Sequence, residues 1–240
     1  MKTQRMYNEL AGYYDLIYSW KEYEKEAAII HKLIRKYKKS PGNELLDVAC
    51  GTGNHLRYLK KHYKVSGLDL SGEKLKIAKR KLPQVPFYLA NMMSFDLQRR
   101  FDSITCLFSS IAYVKTLTNF KKTLDTFSRH LKPGGVVIIE PFLPPHKFYS
   151  GKPFADLVDE PDIKICRMNV SKRRGNTAIL DFHFLIATKQ GVRKVRDMHE
   201  LGLFDRQKVL TIFKKYDFKA KFIKQGFTNE RGLFVAVKNY

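Results

Sequence analysis

The chain has 240 residues, of which 44% are hydrophobic and 28% are charged, enough for one α/β domain with a substantial core and a modest insertion. Its three cysteines, Cys50, Cys106 and Cys166, are odd in number and far apart, which excludes a disulfide framework and a zinc-ligand spacing. The longest apolar run, 136–139, is too short to span a bilayer, and no apolar segment follows the charged start of the chain. We therefore expect a cytoplasmic protein without an export signal or a membrane segment.

The net charge of +22 arises from 45 Lys and Arg residues against 23 Asp and Glu residues. Such an excess favours a polyanionic partner, for example RNA. However, the basic residues are scattered at helix and hairpin spacings, which is typical of solvated surfaces. A basic surface also suits a diphosphate-bearing substrate or adaptation to heat. RNA therefore stays possible but is not favoured.

In chain order, the first part alternates strands and helices as doubly wound α/β folds do. Ser71 is an N-cap residue and Pro83 ends the helix that follows it. Apolar periodicity predicts helices over 21–38, 54–61, 71–82 and 119–131, and strands over 44–48, 65–70, 87–90, 101–108 and 136–140. Residues 1–140 are expected to hold N-terminal lid helices and the cofactor-binding half.

The pattern changes after Pro141. Alternating apolar runs over 163–172, 177–188 and 192–203, separated by glycine turns, predict a small antiparallel sheet inserted after the fifth strand. Residues 141–204 therefore form the expected acceptor-side insertion. Residues 205–240 then supply a helix from Asp205 and two closing strands of a seven-stranded main sheet.

The most informative stretch is Asp47-Val-Ala-Cys-Gly51-Thr-Gly53-Asn-His55, which follows an apolar strand and begins a helix. Glycines at such a turn let the backbone approach a ligand closely. The next strand ends on Asp69, where an acid can hold two ribose hydroxyls. Since the third glycine of a dinucleotide motif is missing and Asp47 precedes the turn, the pattern favours S-adenosylmethionine over NAD.

The 47–55 string resembles motif I of the class I S-adenosylmethionine-dependent methyltransferases, with Ala49 in place of the usual first glycine. Further segments resemble the nucleotide-sugar N,N-dimethyltransferases, which methylate the 3-amino group of dTDP-linked deoxyaminosugars. They are Tyr14-Asp-Leu-Ile-Tyr18, 108–113, 132–137, Glu140-Pro141, 174–176, 191–193, Asp197-Met-His199 and 231–235. The related glycine and sarcosine N-methyltransferases share the inserted sheet. The resemblance implies a Rossmann-like methyltransferase fold and N-methylation.

The resemblance also implies a cofactor shell. Asp69 is expected to bind the ribose hydroxyls, and Leu70 to pack on adenine. Asn91 is expected to accept a hydrogen bond from the exocyclic amine of adenine. Backbone of the glycine turn faces the methionine part, and Asp47 either fixes the turn or accepts from the cofactor's ammonium. The whole expected cofactor set is Asp47, Ala49, Cys50, Gly51, Gly53, His55, Asp69, Leu70, Asn91, Met92, Leu107 and Phe108.

Methyl transfer from a sulfonium is an in-line displacement that depends mainly on alignment. An amine acceptor must be unprotonated, so a nearby hydroxyl need only accept a hydrogen bond or relay a proton. Tyr14 and Tyr113 are the catalytic candidates, and Arg231 and His146 the candidates for binding the acceptor. Like His146, His199 could line the acceptor pocket. No metal-ligand spacing is present.

The expected function is therefore methyl transfer to a small acceptor, an amine such as a nucleotide-linked aminosugar, by an enzyme that could form a homodimer. The alternatives are an RNA- or protein-directed methyltransferase and a non-catalytic cofactor-binding module on the same fold.

Overall fold

A computed structural model describes residues 4–228 and 231–240, and its centre is a seven-stranded sheet. The strand order is β11-β12-β5-β4-β1-β2-β3. The strands are β1 (Glu44–Val48), β2 (Lys64–Asp69), β3 (Phe87–Leu89), β4 (Phe101–Cys106), β5 (Leu131–Ile139), β11 (Phe218–Ile223) and β12 (Leu233–Lys238). Strands β1 to β5 are parallel, whereas β12 runs antiparallel to both β5 and β11. The predicted doubly wound methyltransferase sheet is confirmed.

Six α-helices accompany the sheets in the described residues. They are α1 (Tyr14–Ile17), α2 (Tyr23–Tyr37), α3 (Asn54–Leu59), α4 (Gly72–Lys81), α5 (Leu117–Arg129) and α6 (Arg206–Lys215). Helix α4 begins where the side chain of Ser71 accepts the N–H of Lys74, and Asp205 caps α6 in the same way. In the part of the chain that the structure describes, no helix is both long and apolar enough to cross a membrane.

Apolar side chains cover both faces of the central sheet, as expected for strands with helices on either side. On one face, Phe120 and Phe127 of α5 and Phe213 of α6 pack on β4 and β5. On the other face, Ile30 and Ile34 of α2 pack on strand residues of β1, β5 and β12. These two layers fix the carboxyl ends of β1, β2 and β4 beside one another.

A second, five-stranded antiparallel sheet follows β5. It consists of β6 (Pro153–Glu160), β7 (Ile163–Val170), β8 (Lys172–Arg174), β9 (Thr177–Thr188) and β10 (Gly191–Gly202). Its order is β10-β9-β7-β6, with β8 pairing β9. The inserted antiparallel sheet is confirmed, although sequence analysis missed β6. That strand is exposed at most positions, so it lacks the apolar alternation of its neighbours.

The segment before α2 lies between the two sheets. It contains two short 3₁₀ helices, Arg5–Tyr7 and Ala11–Tyr13, followed by α1. Met6, Leu10 and Ile17 of this segment are buried against Ile165 and Phe184 of the inserted sheet. The inserted sheet therefore holds the N-terminal segment in place.

Candidate active site

The turn between β1 and α3 contains three residues in the left-handed region of φ. The φ angles are 59° at Ala49, 57° at Gly51 and 80° at Gly53. A side chain on Gly53 would press on Leu82 at 3.2 Å, whereas one on Gly51 would meet only Lys74, at 3.9 Å. Gly53 is therefore required by conformation and helix packing, whereas Gly51 is required by its φ angle and lies in ordinary contact with the Lys74 side chain.

Asp69, at the end of β2, connects this turn to the start of α4. Its Oδ2 accepts the N–H of Gly51 and its Oδ1 accepts the N–H of Ser71, each at 2.8 Å. The residue is 8% exposed. Since a carboxylate can accept about four hydrogen bonds, both oxygens keep capacity for a ligand's hydroxyls.

Two residues of the turn region are buried beneath it. Asp47 accepts a hydrogen bond from the hydroxyl of Thr105 at 2.7 Å, and burial raises its pKa to about 6. Cys50 is also buried, and burial raises the pKa of its thiol well above the usual value. Asp47 thus joins β1 to β4 from below, and the Cys50 thiol is not activated as a nucleophile.

The ends of β2 and β3 provide the side expected to hold adenine. Leu70 is 62% exposed, although it directly follows a buried strand. The Asn91 amide oxygen accepts the N–H of Met93 at 2.9 Å, which fixes a turn, and Met92 packs against the core. An exposed leucine beside a fixed amide can bind a flat, hydrogen-bonding ring.

The end of β4 meets a buried carboxylate. The N–H of Phe108 donates to Glu140 at 2.6 Å, while Leu107 is buried. The guanidinium of Arg231 lies 3.5 Å from Glu140 and 5.8 Å from the ring of Phe108. Burial raises the pKa of Glu140, although the Arg231 and Lys21 charges oppose this effect. Arg231 therefore reaches the end of β4, where it neutralises an internal acid.

Two tyrosines of the N-terminal segment enclose a buried lysine above the turn. The Nζ of Lys74 lies 3.6 Å from the ring centroid of Tyr7 and 3.8 Å from that of Tyr14. Burial lowers the pKa of Lys74 to about 8. Ser71 also donates its hydroxyl to the carbonyl of Tyr7. The segment is therefore attached to α4 by cation–π and hydrogen-bond contacts.

The same segment is attached to α3 through Asp15. One carboxylate oxygen accepts from the hydroxyl of Thr52 at 2.6 Å and from the amide of Asn54 at 2.9 Å. The other pairs with Lys81 at 2.6 Å. Tyr14 is thereby held over the glycine turn, since Asp15 follows it directly.

His55 does not contact Tyr7 or Tyr14 but lies in a buried polar group with residues of helix α2. Its Nε2 is 2.7 Å from the Glu26 carboxylate, which also accepts from Lys21. Lys21 in turn lies 4.6 Å from the ring centroid of Phe108. His55 therefore helps to attach α2 to the turn through its hydrogen bond with Glu26.

A hydrogen-bonded chain runs from Tyr7 into the inserted sheet. Tyr7 donates to the hydroxyl of Tyr113, which is 2.6 Å from Nδ1 of His199. Nε2 of His199 is 2.8 Å from Asp197, which also accepts the N–H of Met6 at 2.8 Å. Burial raises the pKa of Tyr113, so its hydroxyl is protonated at neutral pH.

The structure thus gathers most of the sequence-predicted residues at one edge of the central sheet. His146 is the exception, because it is exposed on the 3₁₀ helix Pro145–Lys147. Sequence analysis missed Tyr7 and Lys74, and it gave Asp197 no role in the site, although it named His199 as a residue that could line the acceptor pocket. A signal for the last two was present in the Asp197-Met-His199 motif. Lys74 gave none, since lysine is ordinarily exposed. Among residues 4–228 and 231–240 no acid, histidine and cysteine cluster could hold a metal.

Comparison with known proteins agrees with this geometry. A model of the methyltransferase domain family matches residues 45–135, which contain the glycine turn and Asp69. A dTDP-3-amino-3,4,6-trideoxy-alpha-D-glucopyranose N,N-dimethyltransferase from Streptomyces venezuelae is 36% identical over 95% of this chain and 97% of its own. A dTDP-4-amino-2,3,4,6-tetradeoxy-D-glucose N,N-dimethyltransferase from Saccharopolyspora spinosa is 34% identical over 99% and 96%.

One of the similar solved structures contains the cofactor. CalS10, an amino pentose methyltransferase from Micromonospora echinaspora, was solved with S-adenosylmethionine bound. It is 32% identical to this chain, with a TM-score of 0.83 over 91% of this chain and 92% of CalS10. The two chains therefore share the fold as well as the sequence pattern.

Proposed function

Because the chain belongs to the class I S-adenosylmethionine-dependent methyltransferases, in the group of the nucleotide-sugar N,N-dimethyltransferases, we propose that its acceptor is the amino group of a nucleotide-linked aminosugar. The observation that carries this proposal is similarity along nearly the whole chain, inserted sheet included. These two relatives are named for 3-amino and 4-amino sugars, so the ring position of the amine is left open.

The residues of the site fit S-adenosylmethionine, the cofactor of this family. The backbone of the glycine turn is the proposed contact of the methionine part, and the free acceptor capacity of Asp69 suits the ribose. The exposed side chain of Leu70 suits adenine, with Asn91 beside it. The bound cofactor supplies a methyl group on a positively charged sulfur.

The chain's own contribution is to align the amine and keep its lone pair free. Tyr14 and Tyr113 are the proposed acceptor-side hydroxyls, since the Tyr14 ring lies on Lys74 and Tyr113 is hydrogen-bonded to Tyr7, whose ring lies on the same lysine. Both hydroxyls are protonated at neutral pH because burial raises the pKa of each. They can therefore orient an amine by hydrogen bonding and exchange its proton.

Arg231 is the proposed contact for the nucleotide diphosphate. Its guanidinium is partly exposed, and the buried Glu140 carboxylate holds it at the end of β4. A held guanidinium can form a bidentate contact with a phosphate. The high positive charge of the chain adds long-range attraction for a dianionic substrate. His146, exposed beside the inserted sheet, is proposed to line the outer part of the acceptor site.

The direct test is cofactor consumption by the purified protein with a panel of acceptors. We expect turnover with dTDP-linked aminosugars and none with the matching sugars that carry a hydroxyl in place of the amine. If turnover occurs instead with RNA, and RNA binding survives physiological salt, the polynucleotide alternative replaces this proposal.

We further propose that the protein is cytoplasmic and that two copies associate through the outer face of the inserted sheet. Leu157, Cys166 and Leu185 lie side by side across β6, β7 and β9. Leu157 and Leu185 are 69% and 43% exposed. Contiguous exposed apolar side chains of this kind mark interaction surfaces. Light scattering should show a dimer that Leu185→Lys separates; a monomeric parent protein would contradict the proposal. The three cysteines are unpaired, as suits a reducing compartment.

A further inference from the structure

Asp197 connects the N-terminal segment to the chain of hydroxyls in the site. Its Oδ1 accepts the N–H of Arg5 at 3.1 Å, and its Oδ2 accepts the N–H of Met6 at 2.8 Å. Burial alone would raise the pKa of Asp197, but the hydrogen bonds from His199 and from these two N–H groups hold it below its usual value. The carboxylate is therefore ionised at neutral pH and can only accept hydrogen bonds.

An ionised Asp197 fixes the tautomer of His199. Nε2 of His199 lies 2.8 Å from the carboxylate, so this nitrogen carries the proton. In a neutral imidazole the other nitrogen, Nδ1, must then be an acceptor. The hydroxyl of Tyr113, 2.6 Å away, consequently donates to Nδ1.

The direction of the remaining hydrogen bond follows from this one. Tyr113 has only one hydroxyl proton, which points towards His199, so its oxygen accepts the hydroxyl proton of Tyr7. Every donor in the chain thus points towards Asp197. The Tyr113 oxygen keeps one lone pair, and negative charge developing there would be stabilised by the bond from Tyr7.

Resting on the proposed function, we propose that Asp197 and His199 are positioning residues that make Tyr113 the proton acceptor for the substrate's ammonium group. The substrate N–H bond breaks, its electron pair stays on nitrogen, and its proton forms the O–H bond of Tyr113. The former hydroxyl proton of Tyr113 moves to Nδ1 of His199. The imidazolium that results is stabilised by the Asp197 carboxylate, and the amine lone pair is free for methylation.

The hydrogen-bonded series from Tyr7 to Asp197 depends on the N-terminal segment of the protein. Asp197 is oriented by the N–H groups of Arg5 and Met6, and Tyr113 by the hydroxyl of Tyr7. The Lys74 ammonium lies on the ring of Tyr7, and Asp197 is one of the charges that favour its protonated form. The donor direction is therefore fully set only when this segment is in place.

The tautomer of His199 can be measured without any acceptor, by nitrogen NMR of the full-length protein labelled at histidine. We expect the proton on Nε2 in the parent protein. In Asp197→Ala, which removes the acceptor of the Nε2 proton, we expect the tautomer with the proton on Nδ1 to gain population. A parent protein with the proton on Nδ1, or with a charged His199, overturns the proposal.

Kinetics provide the second measurement. Asp197→Asn should lower kcat with the aminosugar tenfold or more while the Kd of S-adenosylmethionine stays within twofold. Asp181→Asn is the matched control, because Asp181 pairs with His183 at 3.6 Å on the exposed face of the same sheet. It should leave kcat unchanged. Equal kcat in Asp197→Asn and the parent protein would overturn the proposal.

Two further outcomes are distinguishable. If Asp197→Asn does not fold, His199→Gln, which removes the basic imidazole that takes up the proton, should show the same loss of kcat with normal cofactor binding. A normal kcat in that variant overturns the proposal. If no aminosugar is methylated by the parent protein, the proposed function fails, whereas the tautomer measurement still decides the direction of the chain.

Discussion

Oδ2 of Asp69 accepts the backbone N–H of Gly51 at 2.8 Å, so the end of β2 and the glycine turn after β1 form one hydrogen-bonded unit. Its second oxygen accepts the N–H of Ser71, which starts α4. A single carboxylate therefore sets the relative position of three parts of the cofactor site. The proposed contact of Asp69 with the ribose is therefore coupled to its structural hydrogen bonds.

Asp69→Ala is predicted to weaken binding of S-adenosylmethionine while the protein still folds. Loss of a charge-assisted hydrogen-bonding group costs roughly 1.5–3 kcal/mol, or about ten- to a hundredfold in Kd. Asp69→Asn should have a smaller effect, since its amide oxygen still accepts one N–H. Calorimetric titration measures all three proteins; equal affinity would remove Asp69 from the ribose site, and a preference for NAD would contradict the cofactor assignment.

Asp47→Asn is predicted to stabilise the protein at pH 8. Burial raises the pKa of Asp47 from 3.8 to about 6, so the folded state disfavours the carboxylate at every pH above its unfolded pKa. The penalty is complete above pH 6 and disappears as the pH falls towards 4. At about 1.4 kcal/mol per pKa unit, this penalty lowers the free energy of unfolding by about 3 kcal/mol.

Chemical denaturation at pH 8 and pH 5 tests this prediction, with a smaller gain expected at pH 5. Asp125→Asn is the control, because Asp125 is exposed on α5. A destabilised Asp47→Asn at pH 8 would show instead that the carboxylate charge is needed in the folded protein.

Sequence patterns predicted the central sheet because its strands are buried on both faces and alternate with helices. The turn and Asp69 were equally visible, since a glycine turn followed by a strand ending in an acid has few structural explanations. Strand β6 was missed because its side chains are mostly exposed. Periodicity reports burial, so an exposed edge strand gives little signal.

Arg231→Ala is predicted to raise the KM for the aminosugar with kcat nearly unchanged. The diphosphate is remote from the reacting nitrogen, so its contact binds ground state and transition state equally. Arg231→Lys keeps the charge but loses the bidentate fork, and it should give an intermediate KM. Steady-state kinetics decide, and an unchanged KM in the alanine variant would remove Arg231 from the acceptor site.

Tyr14→Phe is predicted to lower kcat, with cofactor affinity largely retained. The ring contact with Lys74 is preserved in phenylalanine, whereas the hydroxyl that orients the amine is lost. Tyr13→Phe is a suitable control, because Tyr13 packs against the inserted sheet. Single-turnover rates should fall about tenfold or more for Tyr14→Phe only; equal rates in both variants would mean that Tyr14 has no part in the reaction.

The arrangement above the turn could not be predicted from sequence because it depends on long-range contacts. Tyr7 and Tyr113 are hydrogen-bonded across 106 positions of the chain, and Met6 and Asp197 across 191. The ammonium of Lys74 is enclosed by the rings of Tyr7 and Tyr14, which belong to a distant part of the chain. Such contacts leave no local periodicity in the sequence. They become visible only in the structure, where the two sheets meet.

The central claim is that this cleft transfers methyl groups from S-adenosylmethionine to the amine of a nucleotide-linked sugar. Mass spectrometry of dTDP-aminosugars incubated with the protein and methyl-deuterated cofactor tests it most directly. We predict deuterated methyl groups on the sugar nitrogen, together with stoichiometric formation of S-adenosylhomocysteine. Label on a hydroxyl or on the nucleobase, or no label on any aminosugar under conditions where the cofactor binds, would contradict it.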